Sequence, residues 1–165
     1  VNVPAVNGNI VTTADTGTIT QAMLGSGVYA GYGPAFSAYN STAAQSVSAA
    51  TSTKYSANTK EFDTANCYNT STYRFTPNVA GYYHIIGELQ FSTAAYTNSI
   101  DFYKNGAIWK RGTLATTQSP FASCLVYLNG STDYVEMYAY IATTASTQST
   151  QTYNNYFQGY LVRAA

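Results

Sequence analysis

From residue 61 onward, bulky and polar positions alternate with a period of two. In GYYHIIGELQF (81–91), one face carries Tyr83, Ile85, Gly87, Leu89 and Phe91, and the other Tyr82, His84, Ile86, Glu88 and Gln90. Successive side chains on a strand point to opposite faces, so this run predicts a strand with the first set in the core. The second set mixes polar and apolar residues, as a surface covered by a partner does. DYVEMYAYI (133–141) sets Val135, Met137, Ala139 and Ile141 against Tyr134, Glu136, Tyr138 and Tyr140. FASCLVYL (121–128) is apolar on both faces and predicts a buried strand. Asn105-Gly106 marks a tight hairpin turn between SIDFY and AIWKR, Asn129-Gly130 marks a second turn, and YFQGYLVR closes the chain as a last strand. Turns at this spacing predict an all-β sandwich of about eight to ten strands.

Residues 1–33 break the pattern. Gly8, Gly17, Gly25, Gly27, Gly31 and Gly33 punctuate short apolar pieces that have no core of their own. The segment reads as an extended N-terminal arm that gains order by lying on something else. The folded domain is expected over 34–165. Within it, the Ser/Thr/Ala-rich stretch 40–60 predicts a long loop with one short strand near 46–50, and 142–152 predicts a second loop.

Composition sharpens this picture. Only 8% of the 165 residues are charged, against about 25% in an average chain. Lys plus Arg number seven and Asp plus Glu number seven, so the net charge is zero. No basic stripe is present to hold a phosphate backbone, which argues against nucleic acid. A sparsely charged surface provides little repulsion between copies and points to a protein that works in an assembly. Seventeen tyrosines with abundant Thr suit pleated surfaces, and Ser, Asn and Gly suit turns. No apolar run approaches the roughly 20 residues that span a bilayer, so membrane insertion is not expected.

Candidate chemistry is sparse. His84 is the single histidine, so a multi-histidine metal site or a His-relayed nucleophile has little to build on. The carboxylates show no spacing that favours a catalytic pair. Neither a P-loop nor a dinucleotide fingerprint occurs. Cys67 and Cys124 lack metal-ligand spacing and read as separate, mostly buried thiols, although a disulfide is compatible with the sequence. No enzymatic activity and no cofactor are expected.

One set of intervals carries more information. Phe62-Asp63, four residues, Tyr68, six residues, Phe75, five residues, Gly81, one residue, Tyr83 resembles the signature of the C1q-like domain family, which shares the jelly-roll fold of the tumour necrosis factor family. AFSAYN (35–40), KNG (104–106), LVYLNGSTDYVEMY (125–138) and FQGYL (157–161) resemble further blocks of that family in the right order. The resemblance implies a two-sheet antiparallel jelly-roll sandwich with Phe62, Asp63, Tyr68, Phe75, Gly81, Tyr83, Phe157 and Gly159 as signature core positions, Asp63 capping a turn near Asn66. No Gly-X-Y run precedes residue 34, unlike in stalked complement-type members. Separately, DTGTITQAMLGSG (15–27) resembles segments of tail-fibre and other structural proteins of bacterial viruses.

The family's jelly rolls form compact trimers, so the resemblance implies a homotrimer. It places His84, Ile86, Phe121, Leu125, Tyr127, Phe157 and Leu161 at the trimer interface, with the monomer core as the alternative for the same residues. Loop residues Tyr96, Asn98, Tyr153 and Asn154 are candidates for contact with a host-surface glycan or protein, because aromatic faces beside uncharged polar groups suit sugars. The two resemblances together imply a non-enzymatic virion-surface protein joined through residues 1–33 to other virion proteins, either as a fibre head or as a capsid decoration. A secreted or cell-surface C1q-like binding module is the alternative.

Overall fold

The computed structural model describes residues 33–93, 97–148 and 152–165. The arm expected over 1–33 lies outside them except for Gly33, and so does Tyr96. No α-helix occurs among the described residues; the strands are β1 (Ala35–Tyr39), β2 (Ser46–Val47), β3 (Thr53–Lys54), β4 (Thr59–Asp63), β5 (Tyr68–Asn69), β6 (Arg74–Phe75), β7 (Ala80–Glu88), β8 (Asn98–Lys104), β9 (Ala107–Arg111), β10 (Phe121–Asn129), β11 (Val135–Ile141), β12 (Ala145–Ser146) and β13 (Tyr156–Ala164). They form two main antiparallel sheets. The first runs β10-β7-β13-β1-β4; the second runs β5-β6-β11-β8-β9, with β3 also paired to β11, and β2 pairs β12 apart from both. The first and last long strands therefore lie side by side in the first sheet, and the chain crosses between sheets after β3, β4, β6, β7, β9 and β10, and again between β11 and β13, as a jelly roll does.

The inward faces meet in an aromatic centre. Phe36 stacks on Phe75 with ring centroids 4.3 Å apart and on Tyr68 at 5.0 Å, and Phe157 meets Phe36 edge-on at 4.9 Å. Tyr83, Ile85, Leu89, Ile100, Phe102, Val126, Leu128, Val135, Met137 and Ile141 complete the core. Gly159 is needed for this packing: a Cβ there would lie 2.7 Å from Ile85 Cδ1 and 3.1 Å from Phe36 Cε1.

Side chains fix the turns. Asn105 and Gly106 both take positive φ, 53° and 80°, the pairing that matches a two-residue hairpin to strand twist. Asn105 also accepts the Tyr134 N–H at 3.0 Å and donates to Asp133 at 2.7 Å, tying the β8–β9 hairpin to the start of β11. Asp63 accepts the N–H groups of Cys67 at 2.9 Å and Tyr68 at 3.0 Å around Asn66, itself at positive φ. Burial alone would raise its pKa; those two N–H bonds and the Lys60 ammonium outweigh burial and hold the carboxyl below its ordinary value.

Two expectations need correction here. Phe62 is not in the core; it is 50% exposed. Both Phe62 and Lys60 pair with β1, opposite Ser37 and Ala38, so Glu61 is an extra residue in a β-bulge, which turns Phe62 outward with Ser37. FASCLVYL is buried on one face only. Ala122, Val126 and Leu128 point inward, whereas Phe121, Leu125 and Tyr127 are exposed, because β10 is an edge strand with the second sheet on one side and, among the described residues, no element on the other. That edge is closed by side chains: Trp109 Nε1 donates to the Leu125 carbonyl at 3.3 Å and Lys104 Nζ to the Tyr127 carbonyl at 2.8 Å. Such blocking leaves less of the β10 backbone open to strand addition.

Candidate functional site

The outward face of the first sheet is the best candidate. Strand register assembles it in rows. Phe121 of β10 lies opposite Glu88 of β7, which lies opposite Tyr156 of β13; the next rows are Ser123–Ile86–Gln158, Leu125–His84–Tyr160 and Tyr127–Tyr82–Arg163. Ser37 of β1 continues the second row from Gln158 and leads to Phe62 of β4. The period-two pattern of β7 and β10 generates this arrangement: the residues alternating with core positions all emerge on one side.

Apolar groups dominate the face. Leu125 is 59% exposed, and Phe121, Phe62, Tyr82, Tyr127, Tyr160 and Val162 are all exposed as well. Burying one large apolar side chain completely contributes about 1.5–3 kcal/mol, so covering a set already half-buried contributes on the order of several kcal/mol per copy. Contiguous patches of this kind mark interaction sites in soluble domains.

Polar groups on this face bond mostly to each other. His84 Nδ1 lies 3.3 Å from the Tyr160 hydroxyl, and their rings meet edge-on at 5.6 Å. Tyr156 donates to Glu88 at 3.0 Å; burial, and then this bond, push its hydroxyl up to about 12. Ser37 donates to Glu61 at 2.6 Å. Glu61, Glu88 and Arg163 enter no ion pair among the described residues.

The structure brings His84, Ile86, Phe121, Leu125 and Tyr127 together on this face. It does not bring Phe157 or Leu161 there. Phe157 is 1% exposed and packed in the aromatic centre, and Leu161 packs against the core beside Gly33 and Gly81. Both share the inward side of β13 with Gly159; Phe157 is enclosed there, and Leu161 is partly exposed but turned away from the open face. Alternation along YFQGYLVR indicates that Tyr156, Gln158, Tyr160 and Val162 are the outward set; the bulge between Leu161 and Arg163 then brings Arg163 to the same side, opposite Tyr82. Tyr160, Val162 and Phe62 are the site residues that the sequence reading missed.

Among the loop candidates, Asn98 is corrected as well. It opens β8, is fully buried, and donates its N–H to the Ala115 carbonyl at 3.0 Å and its amide to the Thr117 carbonyl. A polar residue beside a Ser/Thr loop looks exposed in sequence, but here it ties the 112–118 segment to the sheet. Tyr153, 71% exposed in a 3₁₀ turn (Thr152–Asn154), and Asn154, which donates to Gln90 at 3.2 Å, lie together at the surface.

The outward face of the second sheet is different. Glu136 is buried and accepts from Lys54 at 2.7 Å and Arg74 at 2.8 Å; Asp101 is buried against Arg111 at 3.0 Å. Arg74 lies over the Tyr134 ring at 4.1 Å, Arg111 over Tyr140 at 5.7 Å, and Tyr103 stacks on Tyr138 at 3.9 Å. Cys67 and Cys124 are free thiols; burial raises both, Cys124 to about 11. No cluster of three His, Cys, Asp or Glu side chains suited to a metal occurs among the described residues. No helix among them is long and apolar enough to cross a membrane.

No protein-family model matches the chain, and no curated protein matches it in sequence. Solved structures do match in shape. The globular domain of a zebrafish complement 1qA protein aligns at 14% identity and a TM-score of 0.54, covering 81% of this chain and 100% of that one. Murine APRIL aligns at 10% identity and 0.63, covering 79% and 100%. The PRD1 vertex protein P5 aligns at 15% identity and 0.56, covering 77% and 93%. Strand order, aromatic centre and these likenesses agree: the chain folds as the two-sheet jelly-roll sandwich of C1q- and TNF-type domains.

Proposed function

We propose that this chain is a non-enzymatic structural and binding module that forms a homotrimer through the open face of its first sheet, and that the trimer sits on a virion surface, attached through residues 1–33 to other virion proteins. The observation that carries the reading is the row-by-row apolar face of β7, β10 and β13, exposed in the single subunit although it alternates with core positions. An uncovered face of this kind costs solubility in a chain with zero net charge. Its likeness to the PRD1 vertex protein P5 supports the virion setting. Tyr153 and Asn154 offer an aromatic ring and an amide to a host-surface glycan or protein, as the head of a fibre would; a capsid decoration would use the same arm and need no such contact.

Native mass measurement of the full chain at micromolar concentration tests the assembly. A mass of three chains is expected, and a single-chain mass overturns the reading. Copy number per particle then separates the two virion roles: a handful for a fibre head, tens to hundreds for a decoration. A secreted or cell-surface binding module is the second reading, favoured by the likeness to the complement and APRIL domains. It predicts a trimer absent from purified virions.

A further inference from the structure

We infer that His84 makes the assembly acid-sensitive: the trimer holds at neutral pH and loosens as the imidazole becomes charged. This rests on the trimer reading above and adds its regulation.

His84 sits in the middle of the open face, opposite Leu125 on β10 and Tyr160 on β13. Its diagonal neighbours by register are Ser123 and Tyr127 on β10 and Gln158 and Arg163 on β13, with Tyr82 and Ile86 alongside on β7. The carboxylates of the face lie away from it, Glu88 two rows along β7 and Glu61 on β4, whereas Arg163, opposite Tyr82 in the adjacent row, is a like charge that gives a charged imidazole no counter-ion. Its ring meets the Tyr160 hydroxyl at 3.3 Å, and among the described residues no carboxylate pairs with it. A charged imidazole would therefore gain no counter-ion from its own subunit when a second copy covers this face.

Histidine is the side chain whose ordinary pKa, about 6.5, falls between pH 5 and 8, and this chain has one. Glutamates on the face change charge near pH 4 and the tyrosines near 10. A second copy that covers the imidazole with the apolar and uncharged central rows, rather than with Glu61 or Glu88, disfavours its charged form. Assembly then releases protons from His84 when formed in mild acid. The association constant is full above the free subunit's pKa and falls as pH drops through it. With three copies, the linkage slope approaches three protons, about a thousandfold loss in trimer association per pH unit.

The test is sedimentation of the full-length protein between pH 8 and 5, beside His84→Gln. The expected result is a trimer at pH 8 that dissociates toward pH 5 into subunits with unchanged near-ultraviolet circular dichroism, since the aromatic centre does not use His84. For His84→Gln, whatever its affinity at pH 8, the plot of log association constant against pH is expected to be flat. A wild-type trimer unchanged or tightened at pH 5, or a variant with the same slope, overturns the proposal while leaving the trimer in place. A monomer at pH 8 overturns the trimer reading itself. Should His84→Gln not assemble at all, the imidazole titration decides, followed by NMR in the wild-type trimer and in a subunit kept apart by the uncharged Phe121→Asn, two rows from His84: a lower midpoint in the trimer supports the switch, and an equal or higher one rejects it.

Discussion

The two outward faces of this sandwich are built from the same residue types and end in opposite states. On the second sheet, each buried carboxylate has its cation, and Tyr103, Tyr134, Tyr138 and Tyr140 each have a ring or guanidinium partner within the subunit. On the first sheet, Leu125, Phe121, Phe62 and Val162 are exposed without cover, and Glu61, Glu88 and Arg163 lack ion pairs among the described residues. Exposure of aromatic residues therefore does not by itself locate a site in a chain with seventeen tyrosines. What distinguishes the first face is incompleteness: its groups are satisfied only once something else covers them. The second face is largely satisfied within the subunit, with Ile108 beside Tyr103 its exposed apolar residue, and its ion pairs hold the subunit together.

The largest effect should come from charging the incomplete face. Leu125→Asp is expected to weaken assembly by more than about a hundredfold, because it leaves an unpaired carboxylate in a desolvated contact. The subunit's urea midpoint, measured on the dissociated protein, should barely move, since surface changes away from the core stay within about 0.5 kcal/mol. A variant that still sediments as wild type would place the partner elsewhere.

Glu136→Ala should do the reverse. Removing the buried acceptor of two cations is expected to destabilise the subunit by about 2 kcal/mol, read from chemical denaturation, with the oligomeric state unchanged in native mass spectra. Loss of assembly without loss of stability would erase the distinction between the faces.

Asp63 gives a smaller, pH-dependent effect. Its folded pKa is lowered, so its contribution is complete above the unfolded value of about 3.9 and disappears as pH falls through the lowered folded value. Asp63→Asn is expected to cost about 1 kcal/mol at pH 7. The gap from wild type should narrow as the pH falls below the unfolded value of about 3.9 in acid-denaturation curves; a gap that stays constant would mean that the cap works without its charge. Smallest of all should be Lys54→Ala, below about 1 kcal/mol in the same denaturation assay, because the lysine is partly solvated and Arg74 remains on Glu136.

Much of the architecture was legible in the chain. The alternation in 81–91 and 133–141 placed Tyr83, Ile85, Val135 and Met137 inside, and Asn105-Gly106 marked its hairpin. The intervals from Asp63 to Tyr83 and the closing FQGYL block pointed to the jelly roll that the strand order and the likeness in shape show. The candidate site was legible in part. His84, Ile86, Phe121, Leu125 and Tyr127 were read as one surface, but Phe157 and Leu161 were assigned to it from the core side of their own strand. Phe62 escaped because a single extra residue, Glu61, reverses the outward direction locally, and Asn98 because polarity hides the hydrogen bonds that bury it.

By itself, the order of residues determined which side chains share a side of each strand, because the pleat repeats every two residues whatever surrounds it. Only the tertiary structure decided which of those sides meets the second sheet and which is left open. That choice is made by strand order, bulges and edge closure, through contacts between residues far apart in the chain, and a leucine needs water excluded equally in either place.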